Sequence, residues 1–230
     1  MRSFIQRAVV TALVTVLILV AGCKRSPEAY VKTGNQFFQQ KKYDDAALNY
    51  RKAIQANANY GEAYYRLGLT EMERGDVKVA YAALTRAVEL MPDHQEAKSK
   101  LADLLVSAYI ADRDRPQELY NRVNELAGQF LAKDPASFDG LRLKGYLALT
   151  DRNLKTAIDY FRRAASIKPD DPVVQTALVE ALFLDEQFAE GEKAGWALIG
   201  KSTTHPPIYD LMYRRFVRTK RLTEAEDVLR

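Results

Sequence analysis

Apolar residues recur along this chain at helical spacing, in paired stretches, and the pairs recur in turn. Within residues 61–94, Tyr64, Leu67, Gly68 and Glu71 stand at i, i+3, i+4 and i+7, one face of a helix. Gly75-Asp76 interrupts that face, and Asp76 is placed to cap a second helix. The second helix carries Ala80, Leu84 and Ala87 on one side and is closed by Pro92. Residues 27–60 repeat the scheme with Tyr30, Gly34 and Phe37, then Asp44, Ala46, Tyr50 and Ala53. Laid under residues 61–94, they put Gly34 over Gly68, Ala46 over Ala80 and Ala53 over Ala87. Residues 138–171 place Gly145, Ala157, Ala164 and Pro169 in the same slots. A period of 34 residues means stacked helix pairs, none of which can bury its apolar face alone.

The slots that stay small have a packing cause. Gly34, Gly68 and Gly145 allow a partner helix to approach where a larger side chain would clash, and Ala46, Ala80 and Ala157 do the same from the second helix. Bulky Tyr50, Leu84 and Phe161 are then expected to fill the space between neighbouring pairs, an interlocking of large with small that reaches native density.

The pattern resembles the tetratricopeptide repeat. Leu67-Gly68, Ala80, Ala87 and Pro92 match its consensus in the second unit, and Gly145, Ala157, Phe161, Ala164 and Pro169 match in the fourth. The resemblance implies an all-α fold, a right-handed α-α superhelix, or solenoid, of about six helix-turn-helix units. These are residues 27–60, 61–94, 95–137, 138–171, 172–205 and an incomplete 206–230. Three departures stand out. The third unit is longer than the period, and its extra residues are expected between its helices around 111–115, with Pro116 opening the second helix. The fifth has Gly191 and Gly195 in its second helix, where close packing is expected with Trp196 covering the gap. The sixth stops at Arg230 without the polar closing helix that such stacks carry, so the protein is expected to continue.

The 34 basic and 30 acidic residues give a formal charge of +4, spread along the helices with no basic stripe, which argues against nucleic-acid binding. No phosphate-binding glycine loop is present. His94 and His205 sit at unit boundaries without a metal-ligand neighbour one turn on, so no metal site is expected. The acid pairs Asp44-Asp45 and Asp170-Asp171 fall at helix starts or boundaries, where carboxylates offset the helix dipole. No catalytic residue and no cofactor are assigned.

Residues 1–22 read as a processing signal. Arg2 and Arg7 precede an apolar run over residues 8–21, shorter than the roughly 20 residues a spanning helix needs. The segment Val20-Ala21-Gly22-Cys23 resembles the lipobox of bacterial lipoproteins. That resemblance implies cleavage before Cys23, lipid on its sulfur, and a short linker over residues 23–26. Lys24, where an Asp would favour retention at the inner membrane, implies the outer membrane facing the periplasm in a Gram-negative cell. Cys23 is the only cysteine, so no internal disulfide can form. Lys24, Arg25, Lys32, Lys41 and Lys42 could then meet anionic headgroups.

In the repeat family the first helices line a concave groove. The residues that the resemblance brings to it are Asn35 and Phe38, then Tyr65, Leu69 and Met72, then Arg142, Tyr146 and Leu149, and finally Phe183. The lining is mostly apolar and aromatic and suits an extended or helical protein segment with apolar anchors. The grip on a C-terminal carboxylate known in chaperone-binding members is excluded. Asn35 sits in one of its five slots, the others hold Val31, Arg66, Glu96 and Lys100, and Glu96 would repel the ligand. The expected function is a membrane-anchored scaffold, of the kind that serves envelope assembly, pilus or secretin biogenesis, or polysaccharide export. The alternative is the recognition arm of a longer protein with an enzymatic domain beyond Arg230. Cys23→Ser is expected to leave an unlipidated precursor that keeps its leader, read by gel mobility and incorporation of labelled fatty acid. A normally cleaved, membrane-extracted product would sink the lipid assignment.

Overall fold

The computed structural model describes residues 25–201 and 205–229; the leader and Cys23 lie outside them. Within the described residues the chain forms twelve α-helices and no strand. Helices α1 (Pro27–Gln39) and α2 (Tyr43–Ala56) make the first pair, and α3 (Gly61–Arg74) and α4 (Val77–Leu90) the second. The third pair is α5 (Gln95–Ala111) and α6 (Gln117–Lys133), the fourth α7 (Phe138–Thr150) and α8 (Leu154–Ile167). The fifth is α9 (Pro172–Leu184) and α10 (Phe188–Lys201), the sixth α11 (Pro206–Arg218) and α12 (Leu222–Val228).

Local chemistry starts these helices. Ser26 Oγ accepts the Ala29 N–H, Asp76 Oδ1 that of Val79, and Asp171 Oδ1 those of Val173 and Val174. Each satisfies donors that the first turn leaves without an intrahelical partner. His94 does the same for α5, its Nδ1 accepting the Ala97 N–H at 3.1 Å.

The turn inside five of the six pairs is also built one way. Lys41, Gly75, Arg152, Glu186 and Lys220 occupy equivalent positions and all adopt a left-handed backbone, with φ between 58° and 76°. The next residue's N–H then reaches back to the helix it has just left. Lys42 to Phe37, Asp76 to Glu71, Asn153 to Ala148, Gln187 to Leu182 and Arg221 to Phe216 are all 2.9 Å. This is the helix-closing motif that glycine usually serves, yet only the second pair supplies glycine.

Contacts group the chain into two units, Met1–Leu101 and Ala102–Arg230, divided inside α5. In the first, α2 packs on α1 and α3, α3 on α4, and the first helices α1 and α3 also meet. Its core holds Val31, Ala46, Tyr50, Ala53, Ala63 and Leu67. In the second, successive helices from α6 to α12 pack in order, and first helices meet again, α7 with α9 and α9 with α11. Two cores form there, one around Phe161, Ala164, Ala177 and Leu182, the other around Val179, Ile208, Met212 and Phe216.

The bulky side chains stand on the glycines of their own pair, and Tyr50 and Phe161 also join the next pair, sharing cores with Ala63 and Leu67 and with Val174 and Ala177. A Cβ on Gly34 would lie 2.5 Å from the Tyr50 ring, one on Gly68 2.6 Å from Leu84, and one on Gly145 2.6 Å from the Phe161 ring. Tyr50, Leu84 and Phe161 are all fully buried, each such burial stabilising the fold by about 1.5–3 kcal/mol.

The extra length of the third pair is mostly helix. Both α5 and α6 run 17 residues where the other complete pairs have 13 or 14. The apolar and helix-forming residues at 104–111 and 117–133 continue each helix instead of leaving it. The intervening turn is exposed over residues 112–115, and Arg115 is pinned by its guanidinium on the Thr150 carbonyl at 2.9 Å.

In the fifth pair the sizes are exchanged. Gly191 receives the Phe183 ring from α9, and Gly195 receives Met212 from α11, so Trp196 does not cover these glycines. Its indole stacks on Phe216 instead, centroids 5.8 Å apart and planes 27° apart.

Two substitutions test these points in opposite directions by equilibrium urea unfolding. Gly145→Val is expected to cost about 1–3 kcal/mol by overpacking against Phe161. Glu186→Gly is expected to gain about 0.5–1 kcal/mol, because the left-handed penalty of a side chain, about 1–2 kcal/mol, exceeds the entropic cost of glycine. A Gly145→Val protein as stable as the parent would refute the packing account.

Candidate protein-binding faces

The first helices of each unit present the residues named for binding, and burial sorts them. In the first unit Asn35, Phe38, Leu69 and Met72 are half-buried on α1 and α3, while Tyr65 is buried. Asn35 Oδ1 accepts the Tyr50 hydroxyl at 2.8 Å, and the Phe38 ring meets Tyr43 edge-on at 5.4 Å. Tyr65 is committed to the fold. Its hydroxyl donates to Glu96 at 3.2 Å, and its ring lies against His94 and under the Arg66 guanidinium.

In the second unit Tyr146 and Leu149 are half-buried on α7, and Tyr146 meets Phe161 edge-on at 5.2 Å. Arg142 is buried and ion-paired, 2.6 Å from Asp103 on α5 and 3.1 Å from Asp139 one turn back. Burial opposes its charge, but the two carboxylates outweigh burial and hold its proton more tightly than usual. Phe183 is buried on Gly191, so its ring packs the fifth pair. Of the residues named, Phe38, Leu69 and Met72 in one unit and Tyr146 and Leu149 in the other keep part of their surface in solvent.

Sequence reasoning missed a charged network in the first unit. The Glu71 side chain is fully buried, 2.6 Å from Arg51 on α2 and 2.5 Å from Arg74, which also reaches Asp44 at 2.8 Å. The signal was present: Glu71 falls on the apolar face of its helix. A carboxylate there must be paired to be tolerated. Among the described residues no group of three His, Cys, Asp or Glu side chains could hold a metal ion. Among them no helix is long and apolar enough to cross a membrane.

Three phenols, two buried and that of Tyr146 half-buried, carry a pH dependence. Tyr50, Tyr65 and Tyr146 are each pushed up to about 12 from 10.0, chiefly by burial, with Glu96 adding to the effect at Tyr65. The fold thus favours the neutral phenol. That stabilisation is complete below pH 10 and is lost as pH rises through 12. Stability is expected to fall across that window, and less steeply in Tyr146→Phe. A phenolate absorbance titration in which Tyr146 ionises with the exposed tyrosines would contradict this.

Family models of the tetratricopeptide repeat match residues 34–70, 61–94 and 124–172. The peroxisomal targeting signal receptor of Debaryomyces hansenii is 29% identical over 178 residues, covering 61% of this chain and 29% of that protein. The chain spans less than a third of the length of the curated relatives it matches. Among solved structures, PilF of Pseudomonas aeruginosa is 15% identical with a TM-score of 0.65, 88% of each chain being covered. PilW, a type IV pilus biogenesis factor, is 13% identical with a TM-score of 0.69, covering 88% of this chain and 90% of its own. At these identities the likeness is one of fold.

Proposed function

We propose that this chain, a stack of tetratricopeptide repeats, is a membrane-anchored adaptor that holds protein segments on the faces of its first helices. The observation that carries the reading is the half-buried apolar set Phe38, Leu69 and Met72 on α1 and α3. The first and second pairs are closed by Tyr50 on Gly34 and Leu84 on Gly68, and Phe38, Leu69 and Met72 keep part of their surface in solvent. Apolar anchors at regular spacing suit an extended or helical segment. Tyr146 and Leu149 offer the same on α7.

The membrane part of the reading is supported by Val20-Ala21-Gly22-Cys23 behind an apolar run, and Lys24 favours the outer membrane with the repeats in the periplasm. Only residues 24–26 separate Cys23 from α1, so the first pair would lie close to the headgroups. The fold likeness to PilF and to the pilus biogenesis factor PilW supports a place in envelope assembly, with pilus or secretin biogenesis the leading setting. The reading assigns the chain no catalytic step.

The test is a photo-crosslinking amino acid placed at Met72 or at Leu149 in the native envelope, with Lys52 and Lys155, exposed on second helices, as controls. Adducts are expected from the first two positions and not from the controls. Identical adducts from all four, or none from Met72 and Leu149, would move the working surface elsewhere.

A further inference from the structure

The second unit has a cleft of about 320 Å³ between α9 and α11, whose lining includes Phe183 from the groove positions named in the sequence. Its apolar part is made by Leu184, which is 40% exposed, together with Leu211 and the edge of Phe183. Its charged part is made by Arg214, Arg215 and Arg218 on one face of α11, against Glu180 on α9. The cleft therefore sets three guanidinium groups against one carboxylate, around an apolar floor open to solvent.

The three arginines are not equivalent. Arg215 is committed inward: its guanidinium lies 3.8 Å from the centroid of the Phe188 ring and 3.6 Å from Glu192. Arg214 is ion-paired with Asp210 at 2.6 Å, both side chains largely exposed, and its charge also acts on Glu180 across the cleft. Such a pair contributes little and can be exchanged for another carboxylate. Arg218 is exposed and has no carboxylate partner among the described residues. Arg214 and Arg218 lie one turn apart, so both present charge along the same edge of the cleft.

We propose that this cleft receives an acidic protein segment that carries one aliphatic or aromatic side chain. The acidic residues pair with Arg214 and Arg218, and the apolar side chain covers Leu184 and Leu211. Charge complementarity chooses the sign of the partner, and the floor separates this partner from a bare polyanion, which would leave Leu184 wet. The volume is at the small end of ligand clefts and suits one side chain. The inference rests on the adaptor reading and gives it a partner chemistry. Guanidinium pairs at the edge would also steer the encounter and make binding sensitive to salt.

The probe is a random twelve-residue peptide library displayed on phage and selected on the full chain in detergent. Enriched peptides are then synthesised and measured by fluorescence anisotropy. Enrichment of Asp or Glu flanking a single Leu, Ile or Phe is expected. Arg214→Glu/Arg218→Glu should weaken those peptides by about tenfold or more, and Arg214→Lys/Arg218→Lys should keep most of the affinity. Both sites are exposed, so circular dichroism should report an unchanged fold. The proposal is overturned if nothing is enriched, if enriched peptides are neutral or basic, or if affinity ignores the charge reversal. It is equally overturned if an acidic peptide without the apolar residue binds as well. Crosslinks from Met72 and Leu149 keep the two readings apart. Adducts there without acidic peptides at this cleft end this inference alone, and absence of both ends the adaptor reading too.

Discussion

A glycine on a first helix under a large side chain from its own second helix sets the geometry of the repeat. At Gly34, Gly68 and Gly145 the helices approach closely enough that a Cβ would fall inside the neighbour. Tyr50, Leu84 and Phe161 stand on those glycines and are fully buried. Because the pair is closed from within, the opposite side of each first helix is free to meet the next first helix or a partner. The half-buried positions of Phe38, Leu69, Met72, Tyr146 and Leu149 follow from that division of faces.

The turn contributes a second constraint. One backbone bond recurs at 2.9 Å in five of the pairs, and it forces a left-handed residue whatever the side chain. Lysine, arginine and glutamate accept a strained backbone there so that the two helices leave the turn at a fixed angle. Their long, charged side chains can stay in solvent, where the strain costs little beyond the backbone term.

The period, the pairing of helices and the small slots were legible because each rests on side-chain size at fixed spacing. The turn was legible only at Gly75, since Lys41, Arg152, Glu186 and Lys220 carry no compositional mark of a left-handed backbone. The slots proposed for binding were legible as positions but not as surfaces. Tyr65 and Arg142 stand in them and are held by partners far along the chain, Glu96 and Asp103, while Phe183 is buried on Gly191 of the next helix. The third pair misled for a related reason. Residues 111–115 read as an insertion, while the added length was shared between two helices whose apolar pattern simply continues. Glu71 is the reverse case, a polar residue on an apolar face whose partners Arg51 and Arg74 no local pattern points to.

The exchange of sizes in the fifth pair has an evolutionary consequence. The first, second and fourth pairs share one lock, glycine below and bulk above, so a segment copied from one to another meets a compatible neighbour. The fifth has Val179 where they have glycine, Gly195 where they have bulk, and depends on Phe183 and on Met212 from the pair that follows. Moved elsewhere in the array it would leave a void on one side. Its place in the order is thereby fixed, and lineages that shorten or lengthen this array by duplication should do so on the N-terminal side of residue 172, keeping the fifth and sixth pairs together as one inherited block.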